Sequence, residues 1–153
     1  MIRAIIKGND PRLTSVSRQV SSTDSDALQD LIDTYEDRMR GTAIGLAAVQ
    51  IGHMVRACVV RCNGSPFLML NPVVLQASID NETAEERCLS FPWLTGVMVM
   101  RPRDGIVRYW DKWFDQHQLS LRGLEFRCLL HEIDHMNGIT IDMLRRVPKN
   151  AQP

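Results

Sequence analysis

Residues 131–135 read His-Glu-Ile-Asp-His, inside a stretch from Leu124 to Met136 whose apolar residues have the period of a helix. Two histidines four apart on a helix project from one face, one turn above the other. Their imidazole nitrogens can converge on one metal ion about 2.0–2.1 Å from each. Glu132 follows the first histidine, so its carboxylate can reach a water at that ion without being a ligand. These residue types at this spacing suit a hydrolase that activates water at a metal. The competing reading is two surface histidines on an amphipathic helix, with Glu132 and Asp134 as solvated charges.

The motif leaves a third ligand to find. Metalloproteases with a helix of this kind take it from downstream, as Glu or His. Here residues 136–153 hold no His, Glu or Cys, and their single acid is Asp142. The ligand should therefore lie upstream, among His53, His117, Cys58, Cys62, Cys88 and Cys128. Cys58 and Cys62 are four apart on a predicted strand, about 13 Å from each other, so one ion cannot take both. Cys128 precedes His131 by three and shares its helix face, where it either competes as a ligand or lines a pocket. His53 and His117 fall in predicted loops. Trp93, Trp110 and Trp113 read as packing or hairpin aromatics.

The rest of the chain patterns as one domain over residues 1–153, with 44% hydrophobic residues to build a core. Eighteen basic and eighteen acidic residues cancel, which removes the electrostatic case for a specific nucleic-acid site or a membrane surface. No apolar run reaches the length of a membrane span, and the N-terminal apolar stretch is too short for a signal peptide. Leu28, Leu31, Ile32, Tyr35 and Met39 fall at helical spacing after caps among Ser21–Ser25, and Gly41 stops that helix. Residues 55–62 read as a strand, Asn63-Gly64 as a hairpin turn, and Phe67–Asn71 as the returning strand. Val97–Met100 and Ile106–Trp110 read as a second strand pair, joined near Pro102-Arg103-Asp104-Gly105. Gly138 stops the last long helix. The reading is α+β, with antiparallel strands wrapped around a central metal-binding helix.

Glu86-Arg87-Cys88-Leu89-Ser90 resembles one of three signatures of the peptide deformylases, Glu-Gly-Cys-Leu-Ser. The other two are Gly-x-Gly-Leu-Ala-Ala-x-Gln, met here by Ala43-Ile44-Gly45-Leu46-Ala47-Ala48-Val49-Gln50, and Gln-His-Glu-x-Asp-His, met by Leu130 to His135. The three come in the family's order and at about its spacing. Asn71-Pro72, His135-Met136-Asn137-Gly138 and, more weakly, Asp10-Pro11-Arg12-Leu13 are also similar to the family. Ala43 and Arg87 stand where the family has glycine, and Leu130 where it has glutamine. Arg87 puts a large cation beside the substrate groove.

The resemblance implies a function. Cys88 joins His131 and His135 as metal ligands, Glu132 is the general base, and the Gln50 amide and Leu89 N–H receive the oxyanion. It implies one divalent ion per chain, ferrous iron in the cell, with zinc, nickel or cobalt forms of the purified protein. The ligand types alone do not choose among these metals. The substrate is an N-formylmethionyl peptide, its backbone paired near Ile44 and Gly45. Its methionine pocket is bordered by Glu86, Leu124, Arg127, Cys128 and His131. Arg127 is expected to lay its stem along the pocket and keep its charge in water. The alternatives are a metallopeptidase that cuts internal bonds and a module that binds formyl-peptides or metal without turnover. A thiolate ligand fits a reducing compartment, so the bacterial cytoplasm is expected, possibly that of a phage-infected host. The chain ends soon after the metal helix, as in phage-encoded members. Ribosome contact is therefore expected to be weak and transient, carried by Arg145, Arg146 and Lys149.

Overall fold

The computed structural model describes residues 1–38 and 44–145. Met39, Gly41 and Ala43, together with Arg146 and Lys149 of the basic tail, lie outside the described residues. The first helix, α1 (Ser25–Arg38), starts where the Asp24 carboxylate accepts the Ser21 backbone N–H at 2.8 Å. Its Leu28, Leu31 and Tyr35 are buried against Leu46, Ala57, Val59 and Leu70 of the sheet. The predicted stripe therefore faces the core.

Five strands form one antiparallel sheet: β1 (Gly45–Ala47), β2 (Ala57–Cys62), β3 (Ser65–Ala77), β6 (Asp104–Trp110) and β7 (Gln116–Arg122), in the order β1-β2-β3-β6-β7. The Asn63-Gly64 turn joins β2 to β3 as expected, with φ of 51° and 79°, the left-handed pair that a two-residue hairpin loop requires. β3 continues well past Asn71. It bulges there because Asn71 takes φ 48° and Pro72 has no N–H for the ladder, so the pairing to β6 shifts between Leu70 and Val73. The Asn71 side chain accepts the Val20 N–H at 2.8 Å and ties the bulge to the N-terminal segment.

A second sheet pairs β4 (Asn81–Glu86) with β5 (Val97–Pro102). This corrects the expectation that Val97–Met100 pairs with Ile106–Trp110. Only Arg103 separates β5 from β6, which is too short for a two-residue hairpin. The chain instead bends there and passes from one sheet to the other. His117 is corrected as well: it lies on β7, not in a loop, stacked on Tyr109 with ring centroids 5.3 Å apart.

The long helix α2 (Gly123–Met136) runs between the sheets, and a short helix, α3 (Ile141–Leu144), follows it. Gly138, at φ 72°, donates its N–H to the His135 carbonyl and ends α2 where the sequence placed the stop. Phe126, Leu129 and Met136 enter the main core with Val60, Met69 and Val107, and Leu130 packs against it. Cys58 and Cys62 are buried in the same cluster, so neither is a surface cysteine. No helix among the described residues is long and apolar enough to cross a membrane.

Gly105 lets β6 lie close against α2. A Cβ there would stand 2.4 Å from the Phe126 ring and 2.5 Å from the Gln76 carbonyl oxygen. Gly105→Ala should lower the urea midpoint at an unchanged slope, corresponding to about 1–3 kcal/mol of overpacking strain. An unshifted midpoint would show that both the Phe126 ring and the Gln76 backbone give way freely.

Candidate active site

Helix periodicity puts His131 and His135 on the face of α2 that turns inward, with ring centroids 4.9 Å apart and both side chains buried. The third donor arrives from outside the helix. Past the end of β4 burial alternates: Glu86, Cys88 and Ser90 are buried, while Glu85, Arg87 and Leu89 are exposed, and the chain turns at Leu89-Ser90, where the Phe91 N–H donates to the Cys88 carbonyl at 3.0 Å. Cys88 thus faces α2, its Sγ 3.3 Å from His135 Nε2. The donor atoms of Cys88, His131 and His135 lie within 4.8 Å of one another, the one such group found among the described residues. Tetrahedral bonds of ordinary length to one ion would space such atoms about 3.3–3.6 Å apart, so a small contraction suffices. Cys58, Cys62, His53 and His117 are outside the group.

Burial also keeps the other three cysteines protonated. Burial, reinforced by the Glu132 charge, holds the Cys58 and Cys128 thiols well above the ordinary thiol value, and burial pushes Cys62 up to about 11. Metals take thiolates. Cys128 therefore stays a protonated pocket residue.

Glu86 orients the site. Its carboxylate accepts Arg101 Nε and Nη2 at 2.6 and 2.8 Å, Arg127 Nη1 at 2.8 Å, and His131 Nδ1 at 3.0 Å. Burial alone would raise the Glu86 pKa, but Arg101 and His131 outweigh it and bring it down to about 2. An ionised carboxylate only accepts, so His131 Nδ1 carries a proton toward Glu86, and Nε2 is the nitrogen left to face a metal. Burial also pushes His131 down, yet the Cys88 sulfur and the Glu86 and Glu132 carboxylates lift it to about 10. A field that favours a proton on this ring also favours a metal cation beside it, so the donor set fits a divalent ion.

Arg127 departs from expectation. Its guanidinium is buried rather than hydrated, bonded to Glu86, to the Val99 carbonyl at 2.8 Å and to the Glu82 carbonyl at 2.6 Å. With a carboxylate and two strand carbonyls within reach, the head gains more by turning inward than by reaching water. The expectation missed Arg101, which also bonds Asp134 at 2.8 Å, and Ser90 as a partner of Gln50. Nothing in the local pattern around Arg101 distinguishes it from an ordinary strand-end cation.

These groups lie at one cavity of about 520 Å³. Its lining includes Ile44, Gly45, Gln50, Glu86, Cys88, Leu89, Leu124, Arg127, Cys128, His131 and Glu132, so every expected site residue except the deeper His135 borders it. Gln50 sits on a buried turn of 3₁₀ helix (Ala48–Ile51), where its Oε1 accepts the Ala47 N–H at 3.0 Å. Its Nε2 is thereby aimed at Cys88 Sγ, 3.5 Å away, and at Ser90 Oγ, 3.2 Å away. Glu132 is 3% exposed, and its Oε2 has no hydrogen-bond partner among the described residues. Burial, only partly offset by His131 and Arg101, holds its carboxyl up at about 7. Gly45 comes so close that a Cβ would meet Cys128 Sγ and Glu132 Oε1, each at 2.5 Å.

The family model described as polypeptide deformylase matches residues 2–150. The peptide deformylase of Bartonella tribocorum is 34% identical over 158 residues, covering 97% of this chain and 88% of that one. Among solved structures, the peptide deformylase of Thermotoga maritima superposes with a TM-score of 0.86 at 30% identity, covering 97% of this chain and 99% of that one. A class I type b peptide deformylase from Acinetobacter baumannii with Met-Ala-Ser bound has a TM-score of 0.83 at 26% identity, covering 94% and 98%.

Glu86→Gln should have two effects. Removing the one anion between Arg101 and Arg127 leaves buried cations short of a partner, a loss of about 3–5 kcal/mol in unfolding free energy. Loosening His131 should weaken metal retention about 10–100-fold. Urea unfolding and metal content after dialysis against a graded chelator measure the two separately. Unchanged values for both would remove Glu86 from the argument.

Proposed function

Because this chain belongs to the peptide deformylase family, whose members use a metal ion to remove the N-terminal formyl group of nascent peptides, we propose that Cys88, His131 and His135 hold that ion and Glu132 moves the protons. The observation that carries this reading is the convergence of those three donors beside a buried, partner-free Glu132 carboxylate oxygen. Residues 1–153 act in this reading as a single catalytic domain.

A divalent ion there supplies positive charge that polarises the formyl carbonyl and acidifies water toward neutrality. Glu132 takes the proton of the water that attacks the formyl carbon. The Gln50 amide and the Leu89 backbone N–H donate to the oxygen as it gains charge. Gln50 is already fixed for this by Ala47 and Ser90, so little reorganisation is needed. Glu132 then gives its proton to the departing nitrogen; the C–N bond breaks, leaving formate and a free amine. β1 is the end strand of its sheet, and Ile44 and Gly45 border the cavity, so an extended peptide backbone pairs along that edge. The methionine side chain lies among Leu124, Cys128, His131 and the Arg127 stem.

The proposal extends to ferrous iron as the working metal, though one thiolate and two imidazoles also suit zinc, nickel and cobalt. A reduced Cys88 calls for a reducing compartment, the bacterial cytoplasm.

Iron-loaded protein under anaerobic conditions should release formate from a formyl-Met-peptide; two shorter peptides instead would mark a metallopeptidase. Glu132→Gln should keep the metal and lose about 10²–10⁴-fold in kcat. Cys88→Ser should lose metal, whereas the double change of Cys58 and Cys62 to serine should not. An active metal-loaded Glu132→Gln variant, or the opposite metal pattern, overturns the assignment.

Ribosome contact is proposed to be weak and carried by charge from Arg145, Arg146 and Lys149. Co-sedimentation with ribosomes should then fall steeply as salt rises, and salt-resistant stoichiometric binding would contradict this.

A further inference from the structure

The segment that completes the metal site has a second face. Its inward residues are committed: Glu86 to His131, Cys88 to the donor set, Ser90 to Gln50. Its outward residues, Glu85, Arg87 and Leu89, border the same cavity as Ile44 and Gly45. Among the charged residues lining that cavity, Glu86, Arg127 and Glu132 are buried, and only Glu85 and Arg87 are exposed. Arg87 is the position at which the family signature has glycine. An outward position tolerates the exchange, because the added side chain displaces nothing from the core.

Arg87 is also poorly matched to its neighbour. Its Nε and Nη2 both reach a single oxygen, Oε1 of Glu85, at 3.3 Å, and the side chain is 74% exposed. That oxygen also accepts the Gly96 N–H at 3.2 Å. A guanidinium fork is best met by two carboxylate oxygens at shorter range, as Arg101 is by Glu86. An exposed pair of this quality is held weakly and gives way to a better acceptor.

We propose that Arg87 is a specificity residue that pairs with a carboxylate carried by the substrate at the first or second residue after formyl-methionine. The inference rests on the deformylase reading above. Arg87 adjoins Cys88, so its side chain starts one residue from the proposed metal ligand, at the exposed rim of the cavity that it borders. A peptide laid along the β1 edge passes that rim just beyond its reacting amide. A lysine in the peptide would favour Glu85 instead and meet repulsion from Arg87.

The test uses C-terminally amidated formyl-Met tripeptides, so that side chains are the sole carboxylates. Glu, Ala or Lys is placed second or third, and kcat/KM is read from formate release by iron-loaded protein at low salt. The expected result is a preference of about two- to fivefold for Glu over Ala at one position, carried in KM, with Lys below Ala. The preference should shrink as salt rises. Arg87→Gln should bring the Glu-to-Ala ratio to about one, and Glu85→Gln should widen it. A wild-type ratio of one, a preference for Lys, or a ratio that survives Arg87→Gln overturns the role of Arg87. No formate from the alanine peptide overturns the deformylase reading itself, and the inference falls with it.

Discussion

The Glu86 carboxylate accepts hydrogen bonds from Arg101, Arg127 and His131, and through them joins β4, β5 and α2. Charge at the centre of the molecule balances around it. Arg101 and Arg127 are buried cations; Glu86 and Asp134 answer them. Among the described residues no cation is bonded to Glu132. The two carboxylates are therefore driven apart, Glu86 down to about 2 and Glu132 up to about 7, and that divergence separates a fixed anchor from a group able to carry a proton. Removing four charges from water has a large desolvation cost, so the network is weak evidence for stability. Its effect is geometric: it holds the His131 ring with Nδ1 on Glu86 and Nε2 turned toward the other donors.

Backbone placement does the complementary work. Gly45 brings β1 against Cys128 and Glu132, so the end strand of the sheet stands beside the Glu132 carboxylate. A side chain at that position would push the strand away from α2. Gly105 acts likewise on the far side, letting β6 close over Phe126 and seat α2. The helix is gripped from both directions, and His131 and His135 inherit its rigidity.

The metal helix, the Asn63-Gly64 hairpin and the Gly138 stop were legible because each is written locally, in a period or a turn signal. Strands β4 and β7 were not, because Asn-Glu-Thr-Ala-Glu-Glu and Gln-His-Gln-Leu-Ser-Leu-Arg expose most of their side chains and carry little apolar alternation. Strand partners were misassigned where only Arg103 connects two sheets: proximity in the chain favoured a hairpin, and loop geometry forbids one. At the site, resemblance to ordered motifs named Cys88, which spacing alone had left among six candidates. The buried state of Arg127 depends on Val99 and Glu82, residues distant in sequence, so no local pattern announces it.

The 85–90 segment shows how constraint and freedom divide at such a site. Burial alternates along it, from the end of β4 into the turn at Leu89-Ser90. The inward half is held by the contact of Cys88 with His135, by a buried ion network and by the Gln50 amide, and a change there disturbs several partners at once. The outward half touches solvent, so it can vary without disturbing the buried donor group. Both departures from the family pattern around the metal motifs obey this division or are absorbed by the core. Arg87 falls on the outward side. Leu130, on the half-buried flank of α2, replaces a polar side chain with one that packs against the main hydrophobic cluster. The buried donor group can thus stay constant while the exposed side of the segment changes, and Arg87 is where this chain differs there.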